Sequence, residues 1–295
     1  MFTPRAVLLV NLLFCATVAA FNLPGQQCNR CHLATVTSYE RSQMANAAIG
    51  QEFLKHWKND DQSEKCLLCH SPSNTRGIIC QDCHSGDGHQ QGLADEVSVC
   101  ARCHDAPGEN TVRSYRKSMA SMQELVCTSC HLDFKNTGHE FLGPSTPGFM
   151  TDVVNLTLSL RKQQNELNVI IQIRHKAGHS LPGGTIGRSV WLKIDAFDRY
   201  CRVIESSQVR FGWLKTQHGD MIDNSLLAAK TKMIEIPILD REKTAGIDAR
   251  MIYRFAPGAI DLMDEREILL EQKRYILSQS LMNCVDLNEG VKFIK

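Results

Sequence analysis

The sequence predicts an α+β chain, with a mostly α and irregular N-terminal half followed by an antiparallel β-sandwich-like C-terminal half. Three observations predict it. Eleven of the thirteen cysteines lie before residue 147. In that same half a Cys-x-x-Cys-His string recurs five times. Beyond it, Val, Ile and Leu recur at alternate positions, as in strands with one buried face. A length of 295 residues allows two ordinary domains, and we expect them at 21–147 and 148–295, after a leader at 1–20.

The leader has the parts of a secretory signal: Arg5 as a weak positive start, an apolar run from Ala6 to Ala20, and the small residues Val18-Ala19-Ala20 before a cut. The run is short for a membrane span, and Phe21-Asn22-Leu23-Pro24-Gly25 follows it at once. Phe14, ahead of Cys15, is too bulky for a lipid-attachment site. No second apolar run is long enough to cross a bilayer, so the expectation is a soluble exported protein, periplasmic or extracellular.

The five strings are Cys28-Asn29-Arg30-Cys31-His32, Cys66-Leu67-Leu68-Cys69-His70, Cys80-Gln81-Asp82-Cys83-His84, Cys100-Ala101-Arg102-Cys103-His104 and Cys127-Thr128-Ser129-Cys130-His131. In a chain with 13 Cys and 11 His, chance supplies roughly 0.02 of them. The spacing has a mechanical reason. On one helical turn the i and i+3 sulfurs reach the two vinyl groups of one haem, and the adjoining imidazole points at its iron. A zinc site needs no histidine after every second cysteine, and a disulfide framework has no use for it at all. The reading is five covalently bound haem c groups.

Residues 21–147 leave roughly 25 residues per haem, too few to wrap each macrocycle separately. The haems must then share surfaces, forming a continuous electron path, and their faces replace most of an apolar core. With Arg5 removed, the remaining Lys and Arg balance the 32 Asp and Glu. Five haems with ionised propionates then bring the whole to about −5 oxidised and about −10 reduced. That argues against nucleic acid as a partner and assigns basic patches to the propionates.

Electron-transfer haems usually carry a second axial His or Met. Six histidines lie outside the motifs. His89, among glycines that let the chain turn back, and His139, in a similar Gly-containing turn, are candidate ligands. His56 sits near the end of an expected helix from about Ser38 to Trp57, where an ordinary surface role competes. His218 reads as a solvated turn residue and His175 as merely buried. Met44, Met119 and Met122 compete as ligands or core filler. They fall in a weak internal repeat, Ser38-Tyr39-Glu40-Arg41-Ser42-Gln43-Met44-Ala45 and Ser114-Tyr115-Arg116-Lys117-Ser118-Met119-Ala120-Ser121-Met122.

Ser42-Gln43-Met44-Ala45-Asn46-Ala47-Ala48, then Cys66-Leu67-Leu68-Cys69-His70-Ser71-Pro72 and Gly77-Ile78-Ile79-Cys80-Gln81-Asp82-Cys83-His84, resemble the cytochrome c554-type multihaem family. They are similar to its run of a Ser-x-His/Met-Ala helix followed by two close haem motifs. The resemblance implies distal roles for Met44 and His89, with Met standing where many members have His. Lys176-Ala177-Gly178-His179-Ser180-Leu181-Pro182-Gly183-Gly184 through Arg188-Ser189-Val190-Trp191-Leu192 is similar to a segment opening the C-terminal β-domain of many multihaem cytochromes. It implies that His179 reaches across to cap a haem.

In the C-terminal half, strands are expected at Val153–Leu160, Leu167–His175, Ser189–Phe197, Gln208–Trp213, Lys232–Ile238 and Arg250–Phe255. A helix is expected within Asp261–Ser280. Cys201 and Cys284, the two cysteines left over, are expected to pair. No nucleophile triad, P-loop or dinucleotide fingerprint appears. The functional expectation is an electron carrier between redox partner proteins, either other cytochromes or a quinol-linked donor. Self-association into a haem wire is a further reading. The rival is a multihaem oxidoreductase acting on a small nitrogen or sulfur compound at an open haem, and the surplus of His and Met favours the carrier.

Overall fold

The computed structural model describes residues 28–59, 61–84, 95–106, 108–132, 138–163, 166–184, 187–255 and 267–277. The expected leader, His89 and Cys284 lie outside them. The chain divides into two compact units, one ending at Asp82 and the other beginning at Cys83. The division falls inside the third Cys-x-x-Cys-His string, whereas composition changes near residue 147.

The first unit holds α1 (Asn29–Glu40), α2 (Gln51–Asn59), α3 (Glu64–His70) and the start of α4 (Cys80–Cys83). The expected single helix from Ser38 to Trp57 is instead the end of α1, a series of turns, and α2. Side chains stop it. The Asn46 amide donates to Glu40 O at 2.8 Å and Ser42 O at 2.9 Å, and Ser42 Oγ accepts from Ala45 N–H at 3.2 Å. Such local bonds offer the backbone an alternative to the helical ladder. Val36, Tyr39, Ala45 and Ile78 form the small buried core. Gly77 lets the chain close over it, because a Cβ there would stand 2.4 Å from Ala45 O.

The second unit continues with α5 (Glu96–His104), α6 (Thr111–Tyr115), α7 (Met119–Met122) and α8 (Cys127–His131), then, among the described residues, nine strands. These are β1 (Val154–Gln163), β2 (Glu166–His175), β3 (Ser189–Phe197), β4 (Val203–Phe211), β5 (Trp213–Lys215), β6 (Met221–Asp223), β7 (Lys232–Ile238), β8 (Gly246–Arg254) and β9 (Glu267–Ile276). The antiparallel pairings give a sheet β1-β2-β7, a sheet β4-β3-β8-β9 and a separate β5-β6 ribbon. Leu156, Leu158, Val169, Ile171 and Ile173 from the first sheet share one apolar cluster with Leu192, Ile194, Ile247, Ala249 and Met251 from the second. That is a two-layer sandwich, with each buried Leu or Ile contributing about 1.5–3 kcal/mol.

The alternation located β1, β2, β3 and β7 to within a few residues. β4 and β8 begin earlier than expected, and the short β5 and β6 had no signal of their own. A strand, β9, occupies 267–276 where a helix was expected. Tertiary pairing overrides local spacing there. β9 lies against β8, where Arg274 Nε stands 3.3 Å from Asp248 and Glu267 stands 2.7 Å from the buried Arg254. The remainder of that expected helix, 261–266 and 278–280, lies outside the described residues. Cys201 is disulfide-bonded.

Ile171→Ala, at a fully buried position, should cost about 2–5 kcal/mol in chemical denaturation followed by circular dichroism. Gly77→Ala should destabilise by about 1–3 kcal/mol, because the added methyl meets backbone that has no room to yield; thermal unfolding checks it.

Candidate metal centres

In all five strings the cysteine pair lies on a helical turn, in α1 with its N-cap Cys28, α3, α4, α5 and α8, with His32 at a kink in α1 and His84 just past α4. The i and i+3 thiols of each string therefore point the same way, as the spacing requires. Each start is held differently. The Asp82 carboxylate accepts Ile79 N–H at 2.8 Å ahead of α4, and Asp95 accepts Ser98 N–H at 3.1 Å to cap α5. Ser98, through its hydroxyl first, holds the Asp95 carboxyl below its ordinary range. Glu96 accepts Thr128 N–H at 2.6 Å at the start of α8.

Two string histidines are oriented by backbone. His70 Nδ1 lies 2.8 Å from Ala47 O, and His131 Nδ1 lies 2.7 Å from Leu142 O. A ring that donates from Nδ1 to a carbonyl presents Nε2 with its lone pair free, the usual arrangement of a metal-bound imidazole. Phe53 of α2 lies over the His70 ring, with centres 4.2 Å apart. Burial, the largest cause, lowers the His70 pKa and keeps the ring neutral.

Two of the spare histidines face string histidines. His179 stands 6.2 Å from His131 between ring centres, with planes 13° apart. His139 stands 6.3 Å from His84, with planes 31° apart. A first-row metal–imidazole bond is about 2.0 Å and a ring centre lies about 1.1 Å behind its nitrogen, so two imidazoles on opposite sides of one ion, each with a nitrogen aimed at it, stand about 6.2 Å apart. Both separations match that figure. His179 is pushed down to about 4, first by burial and further by the neighbouring His131, His175 and His104, while Ser180 O opposes the shift. A neutral ring is the ligating form.

The positions of His139 and His179 follow from a few backbone ties. Leu132 bridges Phe141, and Leu142 N–H donates back to His131 O at 2.7 Å, so the segment bearing His139 is tied to α8. The loop bearing His179 is tied to α6: Ser180 N–H donates to Ser114 Oγ at 3.0 Å and Gly184 N–H to Thr111 Oγ1 at 2.9 Å. Gly183 has φ +64°, and a Cβ there would lie 2.7 Å from His179 Cε1. That position thus needs glycine twice over.

The other expected residues are placed less tellingly. His32 is exposed, at a kink inside α1, and His56 is exposed in the last turn of α2. Met44 is half-buried, its carbonyl accepting Ile78 N–H at 2.9 Å two residues ahead of Cys80. Met119 is half exposed and Met122 more so. His104 ends α5 within electrostatic range of His179. His175 is half-buried, with Nε2 3.1 Å from Leu226 O, and His218 is exposed in the turn between β5 and β6.

The weak repeat has a structural meaning that its methionines concealed. Extended back to Val36 and Val112, it reads Val-x-Ser-Tyr-x-x-Ser in both copies. Both valines are buried. Tyr39 OH donates to Ile78 O at 2.7 Å and Tyr115 OH to Leu125 O at 2.9 Å, in each case the carbonyl two residues before a string's first cysteine. Ser42 and Ser118 then each accept the N–H three residues on. The two copies are one device that holds the approach to a string.

The residues present fit covalently attached haem. Paired thiols and an imidazole share each turn, two sets have a second imidazole at single-ion spacing, and exposed apolar side chains flank the strings. Leu33, Leu68, Met122 and Leu125 supply that apolar lining, suited to the faces of a macrocycle.

No protein-family model matches the chain, and no curated protein matches it. Among solved structures, it resembles the crystal structure of a penta-heme cytochrome c552 from Thermochromatium tepidum. The TM-score is 0.65 at 14% identity, over 86% of this chain and 98% of that one. The likeness is one of fold. Among the described residues no helix is long and apolar enough to cross a membrane.

Proposed function

We propose that the chain is an exported pentahaem c-type cytochrome that passes electrons between redox partner proteins. The observation that carries the reading is the facing of His131 by His179 and of His84 by His139 at the separation one shared iron requires. The likeness to a penta-heme cytochrome supports it, as do the five strings. Haem bound at these positions supplies a one-electron carrier at each string.

The chain's own residues do three things in this account. Each cysteine pair would hold one haem covalently, and the following histidine would supply a ligand to its iron. His139 and His179, beside His84 and His131, would supply a second imidazole to the haems of the third and fifth strings, and a fixed second ligand would limit rearrangement on redox change. The backbone bonds from Nδ1 hold the ring orientation. His56, His89, Met44 and Met119 remain the candidates for the other three centres. Export through residues 1–20 places the protein in the periplasm or outside the cell, where its partners are other cytochromes or a quinol-linked donor.

The oxidised protein should show five low-spin haems by electron paramagnetic resonance. His179→Ala and His139→Ala should each convert one centre to high spin, and the double variant two. Gly183→Ala, which crowds the His179 ring, should perturb the same centre as His179→Ala. A wild-type high-spin signal that shifts with nitrite, hydroxylamine or CO would instead favour an oxidoreductase. Single variants that leave all five centres low-spin would contradict the two pairings.

A further inference from the structure

Glu96 opens α5 four residues ahead of Cys100, so one turn puts its carboxylate and that thiol on the same face. It is not needed as the cap of its own helix, because Asp95 already fills that role. Both Glu96 oxygens cross to the fifth string instead. They accept Thr128 N–H at 2.6 Å and the Thr128 hydroxyl at 2.7 Å. The residue at the N-cap of α8 is Val126, which gives no side-chain cap. Glu96 therefore supplies, from the neighbouring string, the acceptor that this helix start lacks.

The consequence is a close approach of two sulfurs from different strings. A Glu96 carboxylate oxygen, Cys100 Sγ and Cys127 Sγ all lie within 4.8 Å of one another. As thiols, Cys100 and Cys127 are hydrogen-bonded to each other. In a loaded chain both sulfurs are thioethers, so what carries over is their position.

We propose that Glu96 is a positioning residue that clamps the fourth string to the fifth, setting the rims of their haems side by side as one coupled pair. The inference rests on the pentahaem reading. Each thioether sulfur is separated by one carbon from the rim of its own macrocycle, so adjacent sulfurs bring two rims together. The clamp is a charge-assisted double contact, which is short and directional. The same carboxylate sets a negative charge beside both rims, which disfavours an added electron on either and lowers both potentials.

The test uses purified holoprotein as wild type, E96Q, E96A and T128V. Peptide mapping of attached haem comes first. A wild type without haem on the fourth and fifth strings overturns this inference together with the pentahaem reading, whereas a fully loaded wild type isolates the clamp. The oxidised wild type should show two spin-coupled low-spin haems by electron paramagnetic resonance. E96Q keeps an acceptor and loses the charge, so it should retain the coupling while two of the five potentials shift upward together. E96A should lose the coupling at unchanged haem count. T128V, which removes one of the two contacts, should weaken it and decides the matter if E96A does not load. Unchanged coupling in a fully loaded E96A or T128V, or five unshifted potentials in E96Q, would overturn the proposal.

Discussion

A pair of thiols three residues apart, followed at once by an imidazole, constrains the chain around it more tightly than any apolar contact does. The three groups converge on one object only if the backbone between them makes a helical turn, and the imidazole works only if its far nitrogen is free. Much of the N-terminal architecture serves these two needs. Asp82, Asp95 and Glu96 hold helix starts. Ala47 and Leu142 carbonyls hold the imidazoles. Tyr39 and Tyr115 hold the approaches. None of this requires a thick apolar core, and the small buried set around Val36, Tyr39 and Ile78 shows how little of one the first unit has.

The β-sandwich follows different physics. Its two sheets meet in a conventional apolar layer and need nothing from a cofactor. That independence gives it a use. A rigid sandwich can hold the His179 loop against α6 through Ser114 and Thr111, and with it the His179 imidazole beside His131. The buried carboxylates Asp195 and Asp248 stand opposite each other in β3 and β8. Arg250 answers both of them, as a like-charge pair across strands requires.

The five strings and the strands β1, β2, β3 and β7 were legible in the sequence because each has a periodicity or a spacing that physics demands, whereas His139 was singled out by its turn residues and His179 by a family resemblance. The pairing of His139 with the third string and His179 with the fifth was not legible. It depends on the Leu132–Phe141 bridge, which folds a short segment back on itself, and on the loop tie to α6, which joins segments 66 residues apart. β9 was misread because charges at helical spacing were in fact strand residues answering Asp248 and Arg254. Glu96 left no mark of its own, since a glutamate opening a helix is ordinary and its real partner lies 32 positions on. The Tyr-Ser repeat was visible, but attention to its methionines hid the hydroxyls that give it a structural role.

The account stands on covalent attachment at five strings, and intact-mass spectrometry of the purified exported protein under denaturing conditions tests it most directly. The account requires a polypeptide heavier by five macrocycles, all of which stay with the chain after unfolding and organic extraction. A mass equal to the bare polypeptide, or macrocycles that extract away from it, would contradict the account.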